Sequence, residues 1–246
     1  DDDAVCREIA EIAALPGIEI EGIFSHFSTS DEHDQSYTKL QFNRFMTVCS
    51  MLEERGIKIP IRHIANSAAI MMYPETHLEM VRAGVILYGL YPSEEVDKTK
   101  LSLKPVMSVK ARVTMVKELE ENRGVSYGKS YITNHRTRIA TVPIGYADGY
   151  TRLLSGKAQM IAKNEKVPVI GRICMDQCMI DVTNVHTINA GDEVVVFGAD
   201  TVTADDLAEW IGTINYEIIC VIAKRIPRIY LKNGEVETVI NYLENL

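Results

Sequence analysis

The apolar rhythm of this 246-residue chain changes once, near Pro105, and that change calls for two kinds of architecture in succession. Upstream, short apolar runs alternate with helical stretches. Residues 18–27 read as a strand ending at Ser25-His26. Residues 34–55 read as an amphipathic helix, with Leu40, Phe45, Val48 and Leu52 near the 3.6-residue period and Gly56 as its stop. Residues 57–64 give a second strand. Asn66-Ser67 can cap a helix over 68–72 that Pro74 ends, and residues 80–90 give a third strand-like run. Strand, helix, strand, helix, strand predicts parallel βα units. Three strands cannot close a parallel barrel, which needs about eight. Either this half is an open sheet or most of a barrel lies upstream of it.

From Pro105 onward the period becomes two. Val109, Ala111, Val113 and Met115 alternate with Lys110, Arg112 and Thr114, as in a half-exposed antiparallel strand. Further strands are expected at 138–144, 167–173, 178–182 and 193–197. Residues 229–232 and 235–239 flank Asn233-Gly234, a strong hairpin signal. A helix is expected over 203–210, where Thr203 and Asp206 have capping-box spacing. Residues 92–104, polar and without apolar periodicity, read as a link. The fold class is thus α/β plus all-β, with one domain over 1–103 and a mostly antiparallel β-domain over 104–246.

A net charge of -8 argues against nucleic acid as a partner, because phosphate binding wants a basic stripe. No apolar run reaches the roughly 18 residues of a membrane span. The opening Asp-Asp-Asp-Ala-Val-Cys lacks the basic-then-apolar pattern of a signal peptide and could be a cut end. The five cysteines (Cys6, Cys49, Cys174, Cys178, Cys220) are odd in number and scattered, which fits reduced, cytoplasmic thiols. Cys174 and Cys178 have no further ligands at zinc spacing, so no metal site is expected.

Polar residues recur at the carboxyl ends of the upstream strands: His26, His63 with Asn66-Ser67, and Arg82 with Gly84. In parallel α/β architectures that edge holds the ligand. Any one histidine there is more readily a satisfied structural residue, but polar residues at three successive strand ends on one edge shift the balance. Ser67 at a helix start, with free amides at Gly84 and Val85, would suit a phosphate. Downstream, glycine flanks three polar clusters: Gly124 to Tyr131, Ile144 to Gly149, and Gly171 to Met179. Glycine there lets the backbone turn and present a side chain at a strand end.

These residues also carry a family resemblance. "GIFSHFSTSDE", "HIANSAA" and "MVRAGVILYGL" resemble the later barrel strands of alanine racemases. "GVSYGKSY", "PIGYADG", "GRICMDQCM" and "NYEIICVIAKRIPRIY" resemble that family's β-domain. The resemblance runs in order from about residue 18 to the end. It implies a partial (β/α)8 TIM barrel followed by the β-domain, a pyridoxal 5'-phosphate (PLP) cofactor, an amino-acid substrate and a homodimer whose active site is shared between subunits. It further implies that Arg82 faces the cofactor's pyridine nitrogen, His26 lies against the ring and His63 hydrogen-bonds the arginine. Ser67, Gly84, Val85 and Tyr216 would cradle the phosphate. Tyr127 would be the catalytic tyrosine, reaching into the other subunit. Met175 would hold the substrate carboxylate through its amide, and Asp176, Tyr146 and Arg152 would line the substrate entrance. An arginine, always charged, cannot protonate-and-release at the ring nitrogen as a carboxylic acid does, so the ring stays a weaker electron sink and proton return is favoured. Supply of D-alanine for a cell wall is the role the family implies.

The family's second base, a Schiff-base lysine in a Lys-Ala-Asn-Ala-Tyr-Gly type run, has no counterpart here. Lys39, Lys58, Lys110, Lys117 and Lys129 read as surface lysines. The expectation is therefore a carboxyl-terminal piece of a two-base (Tyr/Lys) alanine racemase, inactive alone. The alternatives are a serine or broad-specificity racemase, a PLP decarboxylase of the same architecture, and a non-catalytic fragment. A decarboxylase would place Glu, not Arg82, at the ring nitrogen.

Overall fold

A computed structural model describes residues 2–198 and 202–244. The chain divides into two compact units, Asp1–Pro105 and Val106–Leu246.

The first unit contains α1 (Asp2–Ala13), β1 (Gly22–Phe24), α2 (Ser36–Glu54), β2 (Ile61–His63) and α3 (Ser67–Met72). β1 and β2 pair in parallel, with Gly22 opposite Ile61 and Phe24 opposite His63. Behind them lies a core of Phe27, Phe45, Cys49, Ile64 and Ala69, against which Ile23 packs. α2 buries Thr38, Phe45, Cys49 and Leu52 and leaves Leu40 exposed. Phe45 and Leu52 of the expected face are buried and Val48 is half-buried, while Thr38 and Cys49 are buried in place of Leu40. α1, unforeseen in the apolar pattern, buries Cys6 and is tied to the end of α2 by an ion pair from Asp3 to Arg55, while Asp3 also pairs with Arg7 one turn along the same helix. Asn66, not Ser67, caps α3: its side chain accepts from the Ala69 N–H at 3.0 Å.

Residues 80–90 do not form the third strand that their apolar run predicts. Residues 80–84 carry no ladder, and Val85–Tyr88 wind into a 3-10 turn. Gly89 ends the run in the left-handed region (φ 73°), flush against the Lys104 backbone, where no side chain fits. Residues 92–104 are no free link either. Val96 is buried with Ala68 and Met71, and Ser93 donates to the Asp31 carbonyl at 2.8 Å, so the segment folds back onto this unit.

The second unit is built on β3 (Val109–Arg112), β4 (Met115–Leu119), β5 (Gly124–Val125), β6 (Tyr131–Ile132) and β7 (Thr137–Val142). It continues through β8 (Gln159–Ala162), β9 (Glu165–Ile170), β10 (Cys178–Asp181), β11 (Glu193–Phe197), α4 (Ala204–Ile211), α5 (Asn215–Cys220), β12 (Arg228–Lys232) and β13 (Glu235–Ile240). Seven strands form one antiparallel sheet in the order β3-β11-β8-β9-β10-β7-β4. Its two outermost strands, β3 and β4, are consecutive in the chain. Val113 bonds the β11 side (its N–H to the Asp192 carbonyl, 2.9 Å) and Thr114 bonds the β7 side (its N–H to the Thr141 carbonyl, 2.9 Å). The sheet thus wraps onto itself through a two-residue corner. The single strand expected over 109–115 bends there and its alternation loses phase: Val113 is buried, while Thr114 and Met115 are both exposed. The capping box of α4 forms as its spacing predicts, with Thr203 N–H to Asp206 at 2.7 Å and Asp206 N–H to Thr203 at 3.0 Å. The hairpin turn at Asn233-Gly234 also forms, both residues at positive φ. Among the described residues no helix is long and apolar enough to cross a membrane.

Candidate active site

In the first unit the ends of β1 and β2 converge on Arg82. Its backbone N–H donates to the Ala65 carbonyl at 3.0 Å, which sets the residue beside the strand ends. Nη1 donates to His63 Nδ1 at 2.6 Å and to the His63 carbonyl at 3.2 Å. Nη2 donates to the Ser25 carbonyl at 2.8 Å and to His26 Nδ1 at 3.2 Å. None of these acceptors is a carboxylate, so Arg82 is not the surface ion pair that a lone arginine would suggest. Its four Nη hydrogens are committed, and among the described residues no acceptor faces Nε. Because a guanidinium only donates, Nδ1 of His63 must accept, which places that ring's proton on Nε2. Burial, and then the Arg82 charge, push the His63 imidazole below its ordinary value and keep it neutral. Burial also lowers Arg82.

Ser67 is buried at the start of α3, and its Oγ accepts from the Gly84 N–H at 3.0 Å. The Gly84 amide is therefore not free, contrary to the sequence expectation. The Ser67 hydroxyl keeps its own proton to donate outward. Val85 is buried and opens the 3-10 turn.

In the second unit the three glycine-flanked clusters meet as loops. Tyr127 is 72% exposed, on a 3-10 turn (Tyr127–Lys129) preceded by Ser126. Ser126 has φ 63° and ψ -177°, a region that costs a non-glycine residue roughly 1–3 kcal/mol. Its hydroxyl repays part of this by donating to the Arg172 carbonyl at 2.6 Å. Gly171 makes room: a Cβ there would lie 2.8 Å from Ser126 Cβ. Tyr146 and Ala147 donate backbone N–H groups to the Cys174 and Met175 carbonyls at 3.1 and 2.8 Å. Gly145 allows that approach, since a Cβ would sit 2.3 Å from the Cys174 carbonyl oxygen. Asp148, nearly buried, accepts from the Gly145 N–H at 2.9 Å and from Arg225 Nε at 2.6 Å. Met175 and Asp176 are exposed at the tip of the 171–177 loop, and Arg152 is exposed on a 3-10 turn (Arg152–Leu154) tied to that loop by Ser155, which accepts from the Ile173 N–H at 3.0 Å. Tyr216 lies part-buried on α5.

Arg82, His63 and His26 thus gather in one unit and Ser67 with Gly84 beside them, while Tyr127, Tyr146, Met175, Asp176, Arg152 and Tyr216 belong to the other. Two participants escaped the sequence reading. Asp148 gave no local sign of its bond to Arg225. Phe24, the last residue of β1, stands opposite His63, a pairing that only the register of the two strands reveals.

Residues 1–92 match the family model described as alanine racemase, N-terminal domain, and residues 106–230 match alanine racemase, C-terminal domain. The chain belongs to the alanine racemase family. It is 54% identical to an alanine racemase of Clostridium perfringens over 240 residues, 96% of this chain and 62% of the relative. It is 56% identical to alanine racemase 1 of Clostridium acetobutylicum over 239 residues, again 62% of the relative. The chain therefore spans less than two thirds of the length of these curated relatives. Among solved structures, alanine racemase of Clostridium difficile in complex with cycloserine superposes with a TM-score of 0.95 at 45% identity, covering 98% of this chain and 64% of that one. The Bacillus anthracis alanine racemase with bound L-Ala-P gives 0.94 at 37% identity, covering 100% and 64%. The fold is accordingly that of alanine racemases over the part of their length that this chain spans, with an antiparallel β-domain as its second unit. Alanine racemases depend on PLP.

Proposed function

We propose that this chain supplies the PLP cradle and the tyrosine base of a two-base alanine racemase, with residues 1–103 as closing βα units of the barrel and 104–246 as the β-domain. The observation that carries the reading is the state of Arg82. Four of its donors go to backbone carbonyls and imidazole nitrogens, and Nε–H is left facing none of the described residues. Such a donor fits an unprotonated pyridine nitrogen and cannot deliver a proton to it. The Ser67 hydroxyl, held by Gly84, fits a phosphate oxygen. Bound PLP supplies an electron-accepting ring that acidifies the substrate α-proton.

The chain's own residues do the rest. Arg82 would face the ring nitrogen without being able to give it a proton, and His63, held neutral, would fix the guanidinium together with His26. The Ser67 hydroxyl, fixed by the Gly84 amide, and the Val85 amide hold the phosphate. Tyr127 moves a proton at the substrate α-carbon on one face, acting in a partner subunit. The Met175 amide takes the substrate carboxylate, and Tyr146, Arg152 and Asp176 line the way in. No residue here stands in the lysine motif, so the opposite face is served from outside these residues and the chain alone does not turn over.

Titrating the chain with PLP by absorbance tests the cradle. Saturable binding that Arg82→Ala weakens supports the reading, and binding indifferent to Arg82 sinks it. D-Alanine formation by this chain above the rate of free PLP would overturn the assignment of the second base. Carbon dioxide release from lysine, ornithine or arginine would move the chain to the decarboxylases.

A further inference from the structure

We propose that Phe24 is a positioning residue for the Arg82–His63 pair: an aromatic shelf that fixes the plane of the imidazole and thereby the aim of the guanidinium. This rests on the reading of Arg82 as the group that faces the cofactor ring, but its geometry is complete within residues 22–82. Phe24 ends β1 and stands opposite His63 in the parallel ladder. The two rings stack with centroids 5.4 Å apart and planes 15° from parallel. The Arg82 guanidinium carbon lies 5.5 Å from the centroid of the same ring. One phenyl group thus touches both partners of the 2.6 Å bond between Arg82 Nη1 and His63 Nδ1.

Core packing does not account for this phenyl group. Ile23 is the β1 residue that packs on the hydrophobic core, and alternation turns Phe24 to the other face, where it is 68% exposed. What it does contact is polar and aligned. The negative face of an aromatic ring attracts a guanidinium, and a near-parallel ring restricts rotation of a stacked imidazole. Arg82 selects which nitrogen of His63 accepts only while the ring plane is held, and it does not hold that plane itself. With the plane loose, Nδ1 leaves the line of Nη1, and Nε–H, which meets no acceptor among the described residues, loses its direction.

The experiment uses the whole chain and long-range nitrogen–proton spectra of its six histidines, with His63 assigned through His63→Gln. In the unmutated chain His63 is expected as a single Nε2–H tautomer, with its ring protons shifted upfield by the phenyl ring current. Phe24→Leu is expected to lose both signatures, and Phe24→Tyr and Phe24→Trp to keep them. An unchanged His63 tautomer in Phe24→Leu overturns the proposal. Should Phe24→Leu fail to fold, the unmutated chain still decides, because His63 ring protons without an upfield shift exclude the stack. PLP affinity should fall roughly tenfold in Phe24→Leu and hold in Phe24→Tyr. If PLP does not bind the unmutated chain, the cofactor reading of Arg82 fails, while the histidine spectra still judge Phe24.

Discussion

Arg82 donates a hydrogen to Nδ1 of His63 across 2.6 Å, and the histidine carries no charge while it accepts. A sign follows for the pH dependence. The folded His63 titrates below the ordinary imidazole value, so as pH falls the unfolded chain takes up the proton first. Stability from this group is complete above the ordinary value and drains away as pH descends through it toward the folded one. Denaturant midpoints of the chain between about pH 7.5 and 5.5 should fall with pH, and His63→Gln should flatten that slope.

Arg62, one residue before His63, grips Glu79 through Nε at 3.0 Å and Nη2 at 2.6 Å, and its backbone N–H adds a third bond at 2.9 Å. These bonds, the Arg62 side chain foremost, hold the Glu79 carboxyl at about 2 against an ordinary 4.5. The stabilisation is present above pH 4.5 and is lost as pH falls toward about 2. Both side chains are about one third exposed, so the contribution should stay below about 1 kcal/mol and shrink with salt. Acid titration of Glu79→Gln beside the unmutated chain reads it.

Gly145→Ala would set a methyl carbon 2.3 Å from the Cys174 carbonyl oxygen and 2.5 Å from the Met175 carbonyl. Both obstacles are backbone and cannot rotate away. The loop carrying Tyr146 must move, at a cost of about 3 kcal/mol or more. Thermal unfolding measures the loss, and faster exchange of the Tyr146 and Ala147 amides would locate it.

Asp148→Asn offers one acceptor oxygen where two donors, Gly145 N–H and Arg225 Nε, now find one each. One of them must face an amide NH2. The expected loss is about 1.5–3 kcal/mol in unfolding free energy. Arg225→Ala in the Asp148→Asn background should cost little further, because the two side chains form one unit.

Thr203→Ala removes the acceptor that meets the Asp206 N–H at 3.0 Å and should cost about 1 kcal/mol. This prediction stands on spacing that the sequence already displays. The Asn233-Gly234 turn and the parallel order of residues 22–63 were equally legible, because each is written in neighbouring residues. What stayed hidden depends on partners far along the chain. Leu40 fits the helical period as well as Cys49 does, and only the packed neighbours choose between them. Residues 80–90 are apolar enough for a strand, but Gly89 against Lys104 makes them a turn. Of the site, the positions of His26, His63 and Arg82 at one edge were readable. That the Gly84 amide is already spent on Ser67 was not, because only folding brings residues 67 and 84 together.

The corner at Val113 and Thr114 hands one continuous backbone from β11 to β7. Length at that spot is consequently a sealed quantity. One residue inserted between them would exchange inside for outside along Met115–Leu119, moving Lys117 and Glu118 by half a pleat and giving the whole unit the choice of reopening its seam or swallowing a charge.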